Sequence, residues 1–192
     1  MKVRDSGMPE QEYWESLFDV SAALDGLRLD GRVTHAIEVG CGYGTFTLPV
    51  ARRIRGTLQS FDIEPAMVAH TRARLADAGI TNVILHEQDV IAHGFSLPPQ
   101  SADAVLLFNI LHAESPVDLL YISSRILRPN GRIAVMHWRS DIPTPRGPEL
   151  SIRPRPEQVI EWAHRTGVLT IDDEARILPP WHFGLTLRRT GD

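Results

Sequence analysis

Cysteine is nearly absent. Cys41 stands alone in 192 residues, so no internal disulfide can form, and a reducing, cytoplasmic setting is the expectation. Long apolar runs are missing too. None nears the roughly 18–20 residues that cross a bilayer, and residues 1–10 hold no apolar signal-peptide core, so no membrane partner is expected. There is no excess of positive charge. The formal net charge is −4, which speaks against a dedicated nucleic-acid binder, whose binding face is usually basic. Internal repeats and low-complexity segments are also lacking. The eight histidines show no close metal spacing with cysteine or acidic residues, so no metal is expected. The remainder has the composition of a globular protein, long enough to bury one full core.

What is present is organised around one stretch, Ala36-Ile37-Glu38-Val39-Gly40-Cys41-Gly42-Tyr43-Gly44-Thr45-Phe46. A short apolar run ends in three alternating glycines. Helical periodicity follows through Phe46, Leu48, Val50, Ala51 and Ile54. The layout is strand, tight turn, helix. Glycine permits a sharp turn and a close ligand, and a helix start offers free N–H groups to an anionic or strongly polar group.

The rest of the chain alternates in the same way. Residues 1–9 read as a tail. Tyr13, Leu17, Val20 and Leu24, widened by Trp14 and Phe18, predict one helix from Glu10 up to the break at Gly26. Strands are expected at 34–39, 57–61, 82–86, 102–108 and 132–138, with closing strands at 168–178 and 182–189. Helices are expected at 45–55, from Pro65 to Ala78, from Ser115-Pro116 to Leu127, and at 157–166. Residues 90–101 read as a loop, and 128–131 as a turn. The segment 141–156 carries five prolines and no period; irregular stretches of that length often serve a site. Strand–helix alternation implies an α/β fold, a doubly wound parallel sheet with helices on both faces. In such sheets the ligand lies beyond the C-terminal strand ends, where strand order reverses.

The glycines at 40, 42 and 44 are spaced G-x-G-x-G, whereas the dinucleotide fingerprint is G-x-G-x-x-G. Asp62 ends the second strand, about twenty residues beyond the turn, where a carboxylate can accept from both ribose hydroxyls. It could equally cap the helix that opens at Pro65, and Glu64 is a second acceptor. Asp89 ends the third strand, either facing an adenine amino group or capping its loop. Together these residues describe a site for an adenosine with a polar tail.

These segments, taken in order, resemble class I S-adenosylmethionine-dependent methyltransferases. Residues 38–44 are similar to the family's first motif. Phe61-Asp62-Ile63-Glu64 with Met67 is similar to the second, and Glu87-Gln88-Asp89-Val90 to the adenine-contact motif. Residues 103–112 resemble the fourth-strand segment, and Leu127-Arg128-Pro129-Asn130-Gly131-Arg132 the turn before the fifth, with Asn130 where the family usually has glycine. The resemblance covers residues 34–138 and is to enzymes of small molecules. It implies a Rossmann-like sheet of seven strands, mostly parallel with an antiparallel last strand. It also implies S-adenosylmethionine as cofactor, with S-adenosylhomocysteine as product. Glu38 would hold the methionine amino group, and the backbone of Gly40, Cys41, Gly42 and Gly44 would pass the methionine and ribose. Asp62 would bind the ribose, Ile63 would pack on the adenine, Met67 of the same motif would belong to the cofactor site, and Asp89 would accept from the adenine amino group beside the Val90 N–H. The Asn109 backbone would meet the methionine end.

The expected division is a tail at 1–9 and one domain at 10–192. That domain comprises a helical cap at 10–30, the cofactor core at 34–138, a substrate-side loop at 139–156, and a last helix with the closing strand pair at 157–192. His112, just past the fourth strand, is the first candidate for a general base or acceptor contact. His137 with Trp138, and Tyr13 in the cap, are further candidates for the acceptor side. Cys41 reads as small packing. A non-catalytic adenosyl-binding module and a nicotinamide-dependent oxidoreductase are the competing readings. The Asn/Asp-Pro-Pro-Tyr/Phe signature of amino-group DNA methyltransferases is absent, residues 109–112 being Asn-Ile-Leu-His. The expected partner is a small-molecule methyl acceptor, and the expected assembly a monomer or homodimer.

Overall fold

The computed structural model describes residues 8–190; the tail expected at 1–9 lies, up to residue 7, outside the described residues. Seven strands make one sheet: β1 (His35–Val39), β2 (Thr57–Asp62), β3 (Val83–Glu87), β4 (Ala102–Phe108), β5 (Leu127–Trp138), β6 (Leu169–Leu178) and β7 (His182–Arg189). Their order is β3-β2-β1-β4-β5-β7-β6. The pairs from β3 to β5 are parallel, and β7 runs antiparallel to both β5 and β6. The order reverses between β1 and β4, so the loops leaving these two strands diverge and leave a crevice at the sheet's C-terminal edge.

Seven helices cover the sheet: α1 (Gln11–Glu15), α2 (Val20–Gly26), α3 (Thr47–Arg53), α4 (Pro65–Asp77), α5 (Val90–His93), α6 (Pro116–Ile126) and α7 (Pro156–Arg165). Period-two alternation divides the strands between two cores. Ala36, Leu58, Leu106 and Met136 face α2 and α3, while Ile37, Val105, Leu107 and Val135 face α6 and α7. Central parallel strands covered on both faces need such continuous apolar runs. Pro49 sits in the first turn of α3, where its missing N–H costs no intrahelical bond.

Three local expectations are corrected. The single N-terminal helix is two, because the Asp19 carboxylate accepts from the Ala22 N–H at 2.9 Å and so caps a fresh helix. The segment 90–101 is not all loop: Asp89 accepts from the N–H groups of Ile91 and Ala92 and nucleates α5. The fifth strand begins at Leu127, and the turn around Asn130, at φ 64°, is absorbed in it as an irregularity of register.

Asp103 ties the base of the sheet together. Its carboxylate accepts from the backbone N–H groups of Thr34 and His35, at 2.9 and 2.8 Å, and from Arg128 at 2.7 Å. Burial pushes this carboxyl up, but the His35 and Thr34 N–H groups and the Arg128 guanidinium outweigh it and hold it below its ordinary value of 3.8. Asp103→Ala should therefore cost about 1–3 kcal/mol of stability at neutral pH. The charged form supplies the gain, so in chemical denaturation the gap between the two proteins should close as pH falls below 3.8.

Candidate active site

The glycine turn leaves β1 at the reversal of strand order. Gly40 and Gly42 take φ values of +86° and +50°, a region costly to residues with a Cβ. The Gly40 N–H donates to the Phe61 carbonyl at 2.7 Å and locks the turn to the end of β2. A Cβ at Gly40 would meet nothing nearer than Ile110 Cδ1 at 4.0 Å, so the backbone here borders open space. The loop after β4 forms the other bank. Asn109, at φ 55°, donates its N–H to the Met136 carbonyl.

Beneath the turn lies Glu38, 3% exposed. Ser60, its register partner on β2, and Thr47, at the start of α3, both donate hydroxyls to its Oε2, Thr47 at 2.6 Å. Burial pushes the Glu38 carboxyl up to about 7 against these two bonds, with the nearby Asp62 charge adding to the rise. The Cys41 thiol is buried as well, and burial raises it far beyond the range of a thiolate nucleophile at neutral pH.

The acidic pair sits along the same edge. Asp62 accepts from the Gly42 N–H at 2.9 Å and from the Glu64 N–H at 3.0 Å. It therefore bridges the glycine turn to the entry of α4. Asp89 caps α5, with Val90 buried behind it. Between them Ile63 is 40% exposed, and Met67 is half-buried in the first turn of α4. Two further polar atoms bear on which group the crevice would fit. Thr45 Oγ1, after the glycine turn, and Asn109 Oδ1, after β4, are buried with no partner among the described residues. Buried polar groups are nearly always paired. Orphans on both banks of one crevice, an apolar shelf at Ile63 and a carboxylate within reach fit a mixed ligand such as an adenosyl amino acid.

The N-terminal segment closes one side. The Tyr43 hydroxyl donates to the Pro9 carbonyl at 2.9 Å, and Met8 lies against Gly42. Arg74 on α4 pairs with Glu15 at 2.6 Å and donates to the Tyr43 carbonyl. Tyr13 is 45% exposed, and the aromatic residues that contact the sheet are Trp14 and Phe18, against Trp138 and Phe46. His182 on β7 stacks on Phe18 and contacts Trp138. His112, in the loop after β4, and His137, next to last in β5, meet at 3.2 Å.

The 139–156 segment folds back onto the end of β5. Its hub is Arg153, which donates to the carbonyls of Pro148 and Arg139 and to the Thr144 hydroxyl at 2.7–2.9 Å. Neither Arg153 nor His182 was legible beforehand: each is one of many arginines or histidines in sequence, and only loop closure and strand register place them. Thr47 was concealed likewise, though a hydroxyl nine residues after a strand glutamate was a usable signal.

A model of the methyltransferase-domain family matches residues 36–131. Nocamycin O-methyltransferase of Saccharothrix syringae is 31% identical over 123 residues, which cover 62% of this chain and 41% of that protein. The chain spans less than half the length of the curated relatives it matches. A SAM-dependent methyltransferase from Aquifex aeolicus shares the fold at a TM-score of 0.82 and 18% identity, over 94% of each chain. The N-terminal domain of EvdMO1, solved with SAH bound, shares it at 0.65 and 18%, over 96% of this chain and 85% of that one.

The buried Glu38 makes a sign-definite prediction. Its folded value lies above the ordinary 4.5, so the native protein holds more protons than the unfolded chain between those limits. The contribution of Glu38 to the stability of the cofactor-free protein should fall as pH rises from 4.5 to about 7, and then level, read as the difference between wild type and Glu38→Gln. The loss is on the order of 3 kcal/mol at most, and Glu38→Gln should abolish this slope in thermal melts. The matched family model spans half the chain, and it includes the glycine turn, both acidic residues and the turn within β5; the chain belongs to the methyltransferase-domain family.

Proposed function

We propose that this protein is a methyltransferase that binds S-adenosylmethionine and methylates a small-molecule acceptor. One observation carries the reading: the glycine turn, Asp62 and Asp89 follow β1, β2 and β3 along one edge, beside the reversal of strand order. Glu38 receives the methionine amino group, and the backbone from Gly40 to Gly44, Cys41 included, lies beside the methionine and ribose. Asp62 exchanges its bond to Gly42 for the ribose hydroxyls. Ile63 and Met67 pack on the adenine, with Asp89 and the Val90 N–H at its polar edge. Asn109 meets the methionine end. When bound, the cofactor supplies a methyl group on a positively charged sulfur, which leaves by in-line displacement. The protein's own contribution is alignment, a source of up to roughly 7–11 kcal/mol of rate enhancement.

The acceptor side is formed by the cap at 10–30 and the loop at 139–156, with Tyr13 and His112 as its contacts and the fully buried His137 behind His112 rather than against the acceptor. The resemblance to nocamycin O-methyltransferase supports a small-molecule acceptor. The single buried cysteine fits a reducing compartment such as the cytoplasm. In this reading the competing alternatives, a silent adenosyl-binding module and a nicotinamide oxidoreductase, make different predictions.

Calorimetry should show S-adenosylmethionine and S-adenosylhomocysteine binding and NAD not binding; preference for NAD would refute the reading. Asp62→Ala should weaken S-adenosylhomocysteine by about 1–3 kcal/mol, and an unchanged affinity in a folded variant would remove Asp62 from the ribose role. A protein that binds cofactor yet methylates nothing in a broad acceptor panel would be the silent module.

A further inference from the structure

His112 and His137 form a hydrogen-bonded imidazole pair, and its proton positions follow from its surroundings. His112 Nδ1 and His137 Nε2 lie 3.2 Å apart, with the rings at 73°. At its other nitrogen, His137 Nδ1 stands 3.3 Å from the Trp138 carbonyl oxygen. A carbonyl can only accept, so Nδ1 of His137 carries the proton. A neutral imidazole has one N–H, so Nε2 of His137 is a bare acceptor. His112 must then donate from Nδ1, which leaves the lone pair of its own Nε2 bare. Among the described residues that Nε2 has no hydrogen-bond partner.

Both rings are held neutral. His137 is fully buried, and burial takes it down to about 3; a charge on it would also be opposed by Arg153 and by any charge on His112 or His182. Burial lowers His112 as well. His182, across from Trp138 on β7, is itself kept neutral by burial and by Arg153. Phe183 supplies the remaining neighbour from β7. No carboxylate bears on either member of the pair. The loop that carries His112 borders the crevice, since Ile110 faces Gly40.

Resting on the methyltransferase reading, we propose that His112 is the general base of the transfer and that His137 is a positioning residue. His137 fixes His112 in the Nδ1–H form, so that Nε2 takes the proton of a hydroxyl acceptor. A hydroxyl reaches the site neutral and must lose its proton as it attacks. An amine would arrive as an ammonium ion, and the neighbours of this pair are cationic or neutral. The hydroxyl proton passes to His112 Nε2 while the oxygen pair bonds the methyl carbon. The methyl–sulfur bond breaks with its electrons left on sulfur, and the imidazolium then yields its proton to water. A base whose charged form is disfavoured releases that proton readily.

The test has two arms. In the free protein, nitrogen-15 spectra of the imidazoles should show His112 and His137 both protonated at Nδ1 and bare at Nε2. His137→Leu should leave His112 in mixed tautomers, and His137→Gln, whose side-chain oxygen can stand in for Nε2, should restore the single form. A wild-type His112 protonated at Nε2, or one indifferent to His137→Leu, overturns the proposal. The second arm follows labelled methyl from S-adenosylmethionine into phenols, enols, alcohols, amines and thiols. Hydroxyl compounds should be methylated, with the acid limb of kcat/KM below the ordinary histidine value of 6.5. His112→Gln should lower kcat by roughly 10²–10⁴-fold, and His137→Leu by about tenfold or more with KM unchanged and recovery in His137→Gln. Methylation of amines or thiols alone, or of nothing by a protein that binds S-adenosylhomocysteine, overturns this proposal and leaves the cofactor assignment intact. A wild-type protein that binds no S-adenosylhomocysteine overturns both.

Discussion

The buried carboxylate of Glu38 is the constraint on which the site depends. One oxygen collects hydroxyls from Thr47 and Ser60, and so ties β1, β2 and α3 at the point where the chain must turn. The tie holds the start of α3 to β1, which precedes it, in addition to the packing of Val50 and Ala51 on the sheet. The cost is an acid group held in a dry place, which raises its proton affinity. That cost falls when a cation is brought alongside, as nearby opposite charge favours the ionised form. The same residue is thus a structural joint in the free protein and, in the proposed function, the counter-charge for a bound ammonium.

Much of this was legible in the sequence. The apolar runs of β1 and β4 and the glycine spacing predicted a parallel sheet with a turn at its edge. Asp62 and Asp89 stood at strand ends and could be placed on that edge by period alone. The misread elements are those decided by a single side chain. Asp19 splits the N-terminal helix and Asp89 nucleates α5, and such local bonds compete with periodicity without altering it. The candidate acceptor side was the least legible. His112 and His137 are 25 residues apart, and their meeting depends on the register of β4 with β5, which contains an irregularity. Arg153 reaches its partners only once a proline-rich segment has closed on itself.

The two faces of the sheet divide the labour at the crevice. On the α2 and α3 face, aromatic rings from Phe18, Phe46 and Trp138 pack under the N-terminal helices. On the α6 and α7 face, His137 points among apolar residues and carries the histidine pair. The glycine turn lies between them. The histidine pair and the aromatic cover are therefore held by different cores, and the loops after β1 and β4 lie between them.

The arginine-centred loop has a consequence for selectivity. Five prolines between residues 141 and 156 restrict the unfolded segment, so less conformational freedom remains to be lost when it folds. Arg153 then spends its guanidinium on that segment's own carbonyls. A molecule that docks against this wall does not have to order it first. In the proposed role of this loop as the acceptor wall, affinity would be set by the match to a shape already present, and discrimination between acceptors would work by exclusion.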